Sequence, residues 1–330
     1  MGYNRDAVAR AQEFYEARRV ESDRVNKQRR GEVYRICPEI ESIDRLLTQT
    51  HIKIAGVILN HERNIGDIRD ENLTLQKRRA ELLSANGFPA DYFTVRYDCE
   101  KCCDVGYLPD DSICECLKRK IADETLKASG LAKLAKSQSF DCFKLDYYND
   151  YTDVRGKVQT GVRQNMEENL RICREFADSF KAGEDVPTGN LFMIGQTGLG
   201  KSHLSTAIAC EVIAKGFDVR YDFAQKIIYA FEKERFSRTL ASEKNITEEY
   251  LTCDLLIIDD LGTEHPGAMS VSSLFNLVNT RLVNEKPTII NTNLVIKELQ
   301  DKYVDRVVSR LFGEFTVLQF YGEDVRMKNI

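Results

Sequence analysis

Between an apolar run, Leu191-Phe-Met-Ile194, and a stretch of helical periodicity, the chain carries Gly195-Gln196-Thr197-Gly198-Leu199-Gly200-Lys201-Ser202. Glycines at 195, 198 and 200 permit the tight backbone in which successive N–H groups converge on one anion, and the helix that follows adds the positive end of its dipole. Such a loop works only where a buried strand hands over to a helix, so the segment restricts the fold to strand, turn and helix in that order. In this setting Lys201 is expected to reach the β and γ phosphates of a nucleoside triphosphate, and Ser202 to offer its hydroxyl to Mg²⁺. Gln196, Thr197, Leu199 and His203 belong to the same cradle. The competing explanation, a chance match in a glycine-rich turn, weakens further along the chain.

About fifty residues beyond the loop, Asp254-Leu-Leu-Ile-Ile258-Asp259-Asp260 reads as a buried parallel strand ending in two carboxylates. Alone, such a pair also caps a helix or faces solvent. Beside a complete phosphate loop, Asp259 is expected to help hold Mg²⁺ and Asp260 to orient or deprotonate an attacking water. A further apolar strand, Pro287-Thr-Ile-Ile290, runs into Asn291-Thr292-Asn293, whose amides either position a water or γ-phosphate or simply make a turn. Arg306 and Arg310 stand four apart on one helix face, to pair with a local carboxylate or to act on a neighbouring subunit's nucleotide. Arg326 offers another cation.

The apolar segments 191–194, 217–221, 254–258, 288–291 and 316–320 alternate with helical stretches near 163–182, 201–215, 224–236, 270–284 and 303–312. That alternation implies an α/β domain with a mostly parallel sheet and helices on both faces, with the ligand at the strands' carboxyl ends. We place this domain at 137–330. Upstream, 1–97 reads as a helical, partner-binding region, 98–120 as a cysteine-rich module and 121–136 as a linker. At 330 residues the chain has room for all of them. It contains no run of about 18 apolar residues, and its polar start is not that of a signal segment, so we expect a cytoplasmic protein without membrane contact.

A net charge of -5 argues against a uniformly basic nucleic-acid binder and leaves local patches open. Ten cysteines in that compartment should be reduced or metal-bound. Cys99-Glu-Lys-Cys102 and Cys114-Glu-Cys116 bracket a short turn, so these four thiolates are expected to close a structural Zn²⁺ site, with Cys103 either a substitute for Cys102 or a free thiol. One local patch lies in 224–244, where Lys226, Lys233, Arg235, Arg238 and Lys244 alternate with Tyr229, Phe231 and Phe236. Cations with interleaved rings suit single-stranded nucleic acid, although an amphipathic helix with buried aromatics explains the same pattern.

The combination of Gly200-Lys201-Ser202-His203-Leu204, Leu256-Ile-Ile-Asp259-Asp260-Leu261-Gly262, Asn291-Thr-Asn293-Leu294 and Arg306-Val-Val-Ser309-Arg310-Leu311 resembles the bacterial replicative helicase loaders of the DnaC and DnaI type. These are AAA+ ATPases related to the initiator DnaA and the transposition helper IstB. The resemblance covers 137–330, and the cysteine cluster carries it to about residue 97. It implies Walker A at Lys201 and Ser202, Walker B at Asp259 and Asp260, and a first sensor at Asn293. It also implies an arginine finger at Arg306 or Arg310 and a second-sensor cation at Arg326. Gln196 and Thr197 depart from the residues common in relatives but leave the glycines and lysine intact. Asp260 stands where broader AAA+ proteins use Glu, which implies slow hydrolysis stimulated by DNA or a partner. The implied activity is ATP-dependent loading of the replicative helicase, with single-stranded DNA, the helicase and further copies of the chain as partners. The alternatives are an IstB-like transposition helper, a small-molecule kinase and a non-hydrolysing adaptor.

Overall fold

The protein is described here from a computed structural model covering residues 3–59, 66–152, 158–181, 189–236, 246–265 and 267–329. It divides into two compact units, Gln12–Cys116 and Met1–Ala11 together with Leu117–Ile330.

The Gln12–Cys116 unit is helical before it reaches the cysteines. It contains most of α1 (Arg5–Ile36), then α2 (Pro38–Leu59) and α3 (Gly66–Ala85). Pro38 separates the first two helices because it has no N–H to extend α1 yet is well suited to the first position of α2. Val33, Ile40, Leu83 and Phe93 form the core. Asp44, buried at 8% exposure, accepts from Arg30 (2.8 Å), Arg79 (3.1 Å) and the Tyr34 hydroxyl (2.5 Å), so its charge is fully partnered across three helices. α3 stops where expected: Gly87 takes φ 80°, and the Phe88 N–H turns back to the Leu83 carbonyl at 2.9 Å.

The second unit opens with α4 (Glu115–Ala128), which crosses the segment assigned from sequence to a linker. Leu117, Ile121 and Thr125 recur every four residues and are buried along one face, and Leu131 enters the main core. The first residues of the chain also belong here, with the Asn4 amide donating to Asp218 at 3.0 Å. The structure therefore divides the chain at 11/12 and 116/117, whereas composition places boundaries at 97, 120 and 136.

A short antiparallel pair, β1 (Tyr151–Thr152) and β2 (Val158–Gln159), precedes α5 (Val162–Ser179). The remaining strands are β3 (Leu191–Gly195), β4 (Val219–Phe223), β5 (Leu255–Leu261), β6 (Thr288–Thr292) and β7 (Thr316–Phe320). They form a parallel sheet in the order β4-β5-β6-β3-β7. The three central strands are buried nearly throughout, as strands covered on both faces must be, while edge strands β4 and β7 alternate. α5 and α6 (Lys201–Ala214) contribute to one apolar cluster, and α7 (Ala224–Phe236), α8 (Ile246–Thr252), α9 (Ala268–Val283), α10 (Ile296–Lys302) and α11 (Asp305–Gly313) to the other. The helix expected over 303–312 is α11, and neither α8 nor α10 was anticipated. Because β3 sits between two strands that come much later in the chain, the order reverses beside it, and a crevice opens at its carboxyl end.

Candidate functional site

The phosphate loop lies in that crevice. A Cβ on Gly195 would fall 2.2 Å from the Phe320 carbonyl oxygen of β7, so the strand pairing itself demands glycine there. Gly198 adopts φ 79°, and a Cβ on it would strike the Asp324 carboxylate at 1.9 Å. The Val325 N–H donates to the Gly198 carbonyl at 3.1 Å, holding the segment after β7 against the loop.

Lys201 begins α6 and is buried at 5% exposure. Its ammonium donates to the carbonyls of Gly195 (2.6 Å) and Gln196 (2.7 Å) and to Asn293 Oδ1 (2.8 Å). Burial pulls its pKa down to about 8, against the opposing pull of Asp259 and Asp260. Asn293 also donates through Nδ2 to Asp260 Oδ1 at 2.9 Å, so one amide joins the lysine to the second acid.

Asp259 is buried and accepts from the Tyr221 hydroxyl (2.5 Å), Asn291 Nδ2 (2.9 Å) and Ser202 Oγ (3.3 Å). The residue after it is set differently. The register of β5 against β6 shifts between Ile258 and Leu261, and Asp260 takes φ 53°. A bulge of this kind re-aims a side chain, and a non-glycine residue held there costs about 1–3 kcal/mol. Asp260 thereby lines the cavity, where burial, and then the charge of Asp259, raise its pKa.

The cavity encloses about 730 Å³ and extends from Asp259, Asp260 and Asn293 past Thr197–His203 to Leu134, Gln138, Phe143 and Tyr148. Gly195 and Gln196 do not line it but give carbonyls to Lys201. Leu199 turns into the core. His203 Nε2 meets the Ser139 carbonyl at 2.8 Å, with its ring edge on Phe143, and the Tyr148 hydroxyl donates to the Leu199 carbonyl at 3.1 Å. Arg326 lines the cavity mouth. Arg306 and Arg310 do not line it: Arg306 is exposed on α11, and Arg310 lies over the Phe275 ring at 5.6 Å. On α7, Tyr229 is 65% exposed and Lys233 is exposed, Lys226 pairs with Asp222, and Phe231 packs on the core. The Arg235 and Phe236 side chains, with Arg238 and Lys244, lie outside the described residues.

Tyr221 and Asp324 were missed in the sequence. Tyr221 had a usable signal, being a polar residue on the strand adjacent to the acidic one. Asp324 had none, because only the tertiary fold sets it on Gly198.

In the other unit, the sulfurs of Cys99, Cys102, Cys114 and Cys116 lie within 4.8 Å of one another, with Cys99 and Cys114 at 3.8 Å and Cys102 and Cys116 at 3.4 Å. Four sulfurs at about 2.3 Å from a tetrahedral Zn²⁺ stand about 3.8 Å apart, so the donor set fits that ion. The cradle is local. Asp104, at φ 57°, accepts from the N–H groups of Asp98 and Cys99, and the Gly106 N–H donates to Cys102 Sγ at 3.3 Å. The Tyr15 hydroxyl hydrogen-bonds Cys116. Cys103 is exposed and outside the cluster.

Five parallel strands in this order, a phosphate loop after β3, acids on a bulge in β5 and an amide closing β6 define a P-loop nucleotide-binding domain of the AAA+ class. The family model described as IstB-like ATP binding protein matches residues 158–330, more than half of the chain, and the chain belongs to that family. It is 26% identical over 254 residues to the phage-like element PBSX protein XkdC of Bacillus subtilis, covering 72% of this chain and 85% of that one. It is 24% identical over 187 residues to the replicative helicase loader DnaC of Escherichia coli K12, covering 57% and 68%. The crystal structure of the DnaC helicase loader aligns over 58% of this chain and 100% of that chain, at 20% identity and a TM-score of 0.45.

Proposed function

We propose that the chain is an ATP-switched loader of a ring-shaped replicative DNA helicase, acting in the cytoplasm during the initiation of DNA replication. The observation that carries this reading is the relay from Lys201 through Asn293 to Asp260. Lys201 is held by three oxygens that phosphate oxygens can replace. On nucleotide binding it exchanges them, Asn293 changes partner, and the segment after β6 receives the signal, a two-state element biased by the γ-phosphate.

Ser202 and Asp259 would hold Mg²⁺, which when bound neutralises phosphate charge. Asp260 orients the lytic water, and its side chain, shorter than the Glu of broader AAA+ proteins, makes hydrolysis slow. Arg306 and Arg310, outside the lining of the chain's own cavity, serve the site of an adjacent copy, while Arg326 lines its own. The four cysteines hold Zn²⁺ as a structural brace, and the helices of 1–97 engage the helicase. Tyr229 and Lys233 offer an exposed ring and cation for single-stranded DNA.

The test is co-purification of the full chain with the cognate replicative helicase, with and without ATP, beside ATPase assays with and without single-stranded DNA. No complex, and turnover indifferent to DNA, would sink the loader reading. The matching of the IstB-like family supports one alternative, a transposition helper ATPase, which would retain a DNA-stimulated rate yet ignore the helicase. Changing Tyr229 and Lys233 together to Ala should weaken DNA binding; unchanged affinity would move the DNA site elsewhere.

A further inference from the structure

We infer that Glu264 is a positioning residue for hydrolysis, locked by Lys302 and Tyr303 so that Asp260 stays directed into the nucleotide cavity; this rests on the reading of Asp260 given above. The backbone explains why a lock is needed. Asp260 is held at φ 53°, a left-handed setting from which a non-glycine residue relaxes unless its surroundings over-determine it. On one flank, Asn293 Nδ2 holds the Asp260 carboxylate at 2.9 Å. On the other, the chain turns back at once: the Thr263 N–H and hydroxyl donate to the Asp260 carbonyl at 3.2 and 2.9 Å, and Gly262 takes φ 109°.

Glu264 closes that turn from within. It is buried at 4% exposure; one carboxylate oxygen accepts from the Gly262 N–H at 2.9 Å and the other from the hydroxyl of the buried Tyr303. Lys302 stands 3.3 Å from the same carboxylate and donates to the carbonyls of Gly262 and Glu264. A carboxylate taken out of water persists where it is paired and hydrogen-bonded, and here both oxygens have donors. Tyr303 lies 39 positions beyond Glu264, at the junction of α10 and α11, so the turn after β5 is fixed to packed helices rather than left to its own geometry. Glu264 does not line the nucleotide cavity, and its influence on the reaction therefore passes through Asp260.

The measurement is steady-state ATP hydrolysis beside ATP binding, on variants of the full chain with Mg²⁺ and single-stranded DNA. Glu264→Ala should lower kcat at least about tenfold with ATP affinity kept within about twofold, since misplacing a reacting group by about 1 Å can cost about a hundredfold in rate. Tyr303→Phe removes a single hydroxyl and decides the matter should the alanine variant fail to fold; it should lower kcat by about threefold to tenfold, again with ATP affinity kept. Glu264→Gln retains an oxygen for the Gly262 N–H and an amide toward Tyr303, and should bring kcat back to within about threefold of the wild type. In Tyr303→Phe, an unchanged kcat, or ATP affinity falling in step with kcat, would overturn the inference, as would a Glu264→Gln variant no faster than Glu264→Ala. Asp260→Asn separates the inference from its premise. Wild-type turnover in that variant would overturn the reading of Asp260 and the inference with it, whereas lost turnover there beside wild-type kcat in Glu264→Ala and Tyr303→Phe would overturn the inference alone.

Discussion

The phosphate loop and the cysteine cluster both gather polar groups around a point, but they obtain their geometry from different sources. Lys201 and Asn293 meet from 92 positions apart because a five-stranded sheet carries them there, and Asp259 is already satisfied by Tyr221, Asn291 and Ser202. The four cysteines come from eighteen consecutive residues, on turns shaped by positive φ at Cys103 and Asp104. A site framed by a sheet keeps its shape without a ligand. A site framed by turns, with thiolates crowded together, depends on the ion that neutralises them.

The largest expected effect tests that contrast directly. Chelation, or Cys102→Ser, should abolish bound zinc and leave 98–116 open to proteolysis, since a structural zinc supplies roughly 10–16 kcal/mol of apparent folding energy. ATP affinity should stay within about twofold; its loss alongside the metal would show that the two sites are not independent. Metal content and ATP binding measured on one sample decide it.

Next comes Arg281, fully buried on α9, whose guanidinium donates to the carbonyls of Tyr250, Leu251, Cys253 and Pro287 and to Thr288 Oγ1. Arg281→Met should cost on the order of 3 kcal/mol in urea unfolding of the sheet unit, because several buried acceptors lose their donor. Zinc content should not change. Lys201→Ala should weaken ATP binding by about a hundredfold, the scale of charge-assisted hydrogen bonds to phosphate, and leave the sheet folded by circular dichroism. Asp260→Asn should slow hydrolysis by about a hundredfold with ATP affinity preserved; unimpaired turnover would remove Asp260 from the chemistry.

The smallest effect is one of pH. Lys201 titrates near 8 in the fold against an ordinary value of 10.5, so between those values the unfolded chain binds more protons and stability rises with pH. Below pH 8 the unfavourable burial of the charge is fully present. The melting temperature of the nucleotide-free wild type should therefore climb relative to Lys201→Met from pH 8 to 10. A flat difference would mean that the carbonyl cradle already compensates the burial.

The architecture of the sheet unit was legible because both requirements of a phosphate loop, an apolar strand before and a helix after, are local. The strands at 191–194 and 288–291 could be located closely because uninterrupted burial writes an uninterrupted apolar run. The second strand was set two residues early, since an edge strand such as Val219–Phe223 alternates and its limits blur into the preceding turn. The stretch after the cysteines reads from sequence as a Lys- and Ala-rich helix or a linker, because charged residues interrupt the buried positions 117, 121 and 125 of α4. Asp259 and Asp260 could be named from sequence, but not the bulge that gives them different surroundings, since it exists only as a mismatch with β6. The cysteine spacing identified the donor set because all four sulfurs belong to one short turn.

The position of β3 in the sheet has a consequence for how the chain comes into being. Leu191 pairs with Ile289 on one side and Thr316 on the other, so its neighbours emerge about 100 and 125 residues after it. At about 5–20 residues per second, the run Leu-Phe-Met-Ile waits roughly 5 to 25 seconds on the ribosome with both edges bare. A short apolar strand in that condition invites pairing with whatever lies nearby. The segment that most narrowly defines the finished molecule is also the one that most needs shelter while the molecule is being made.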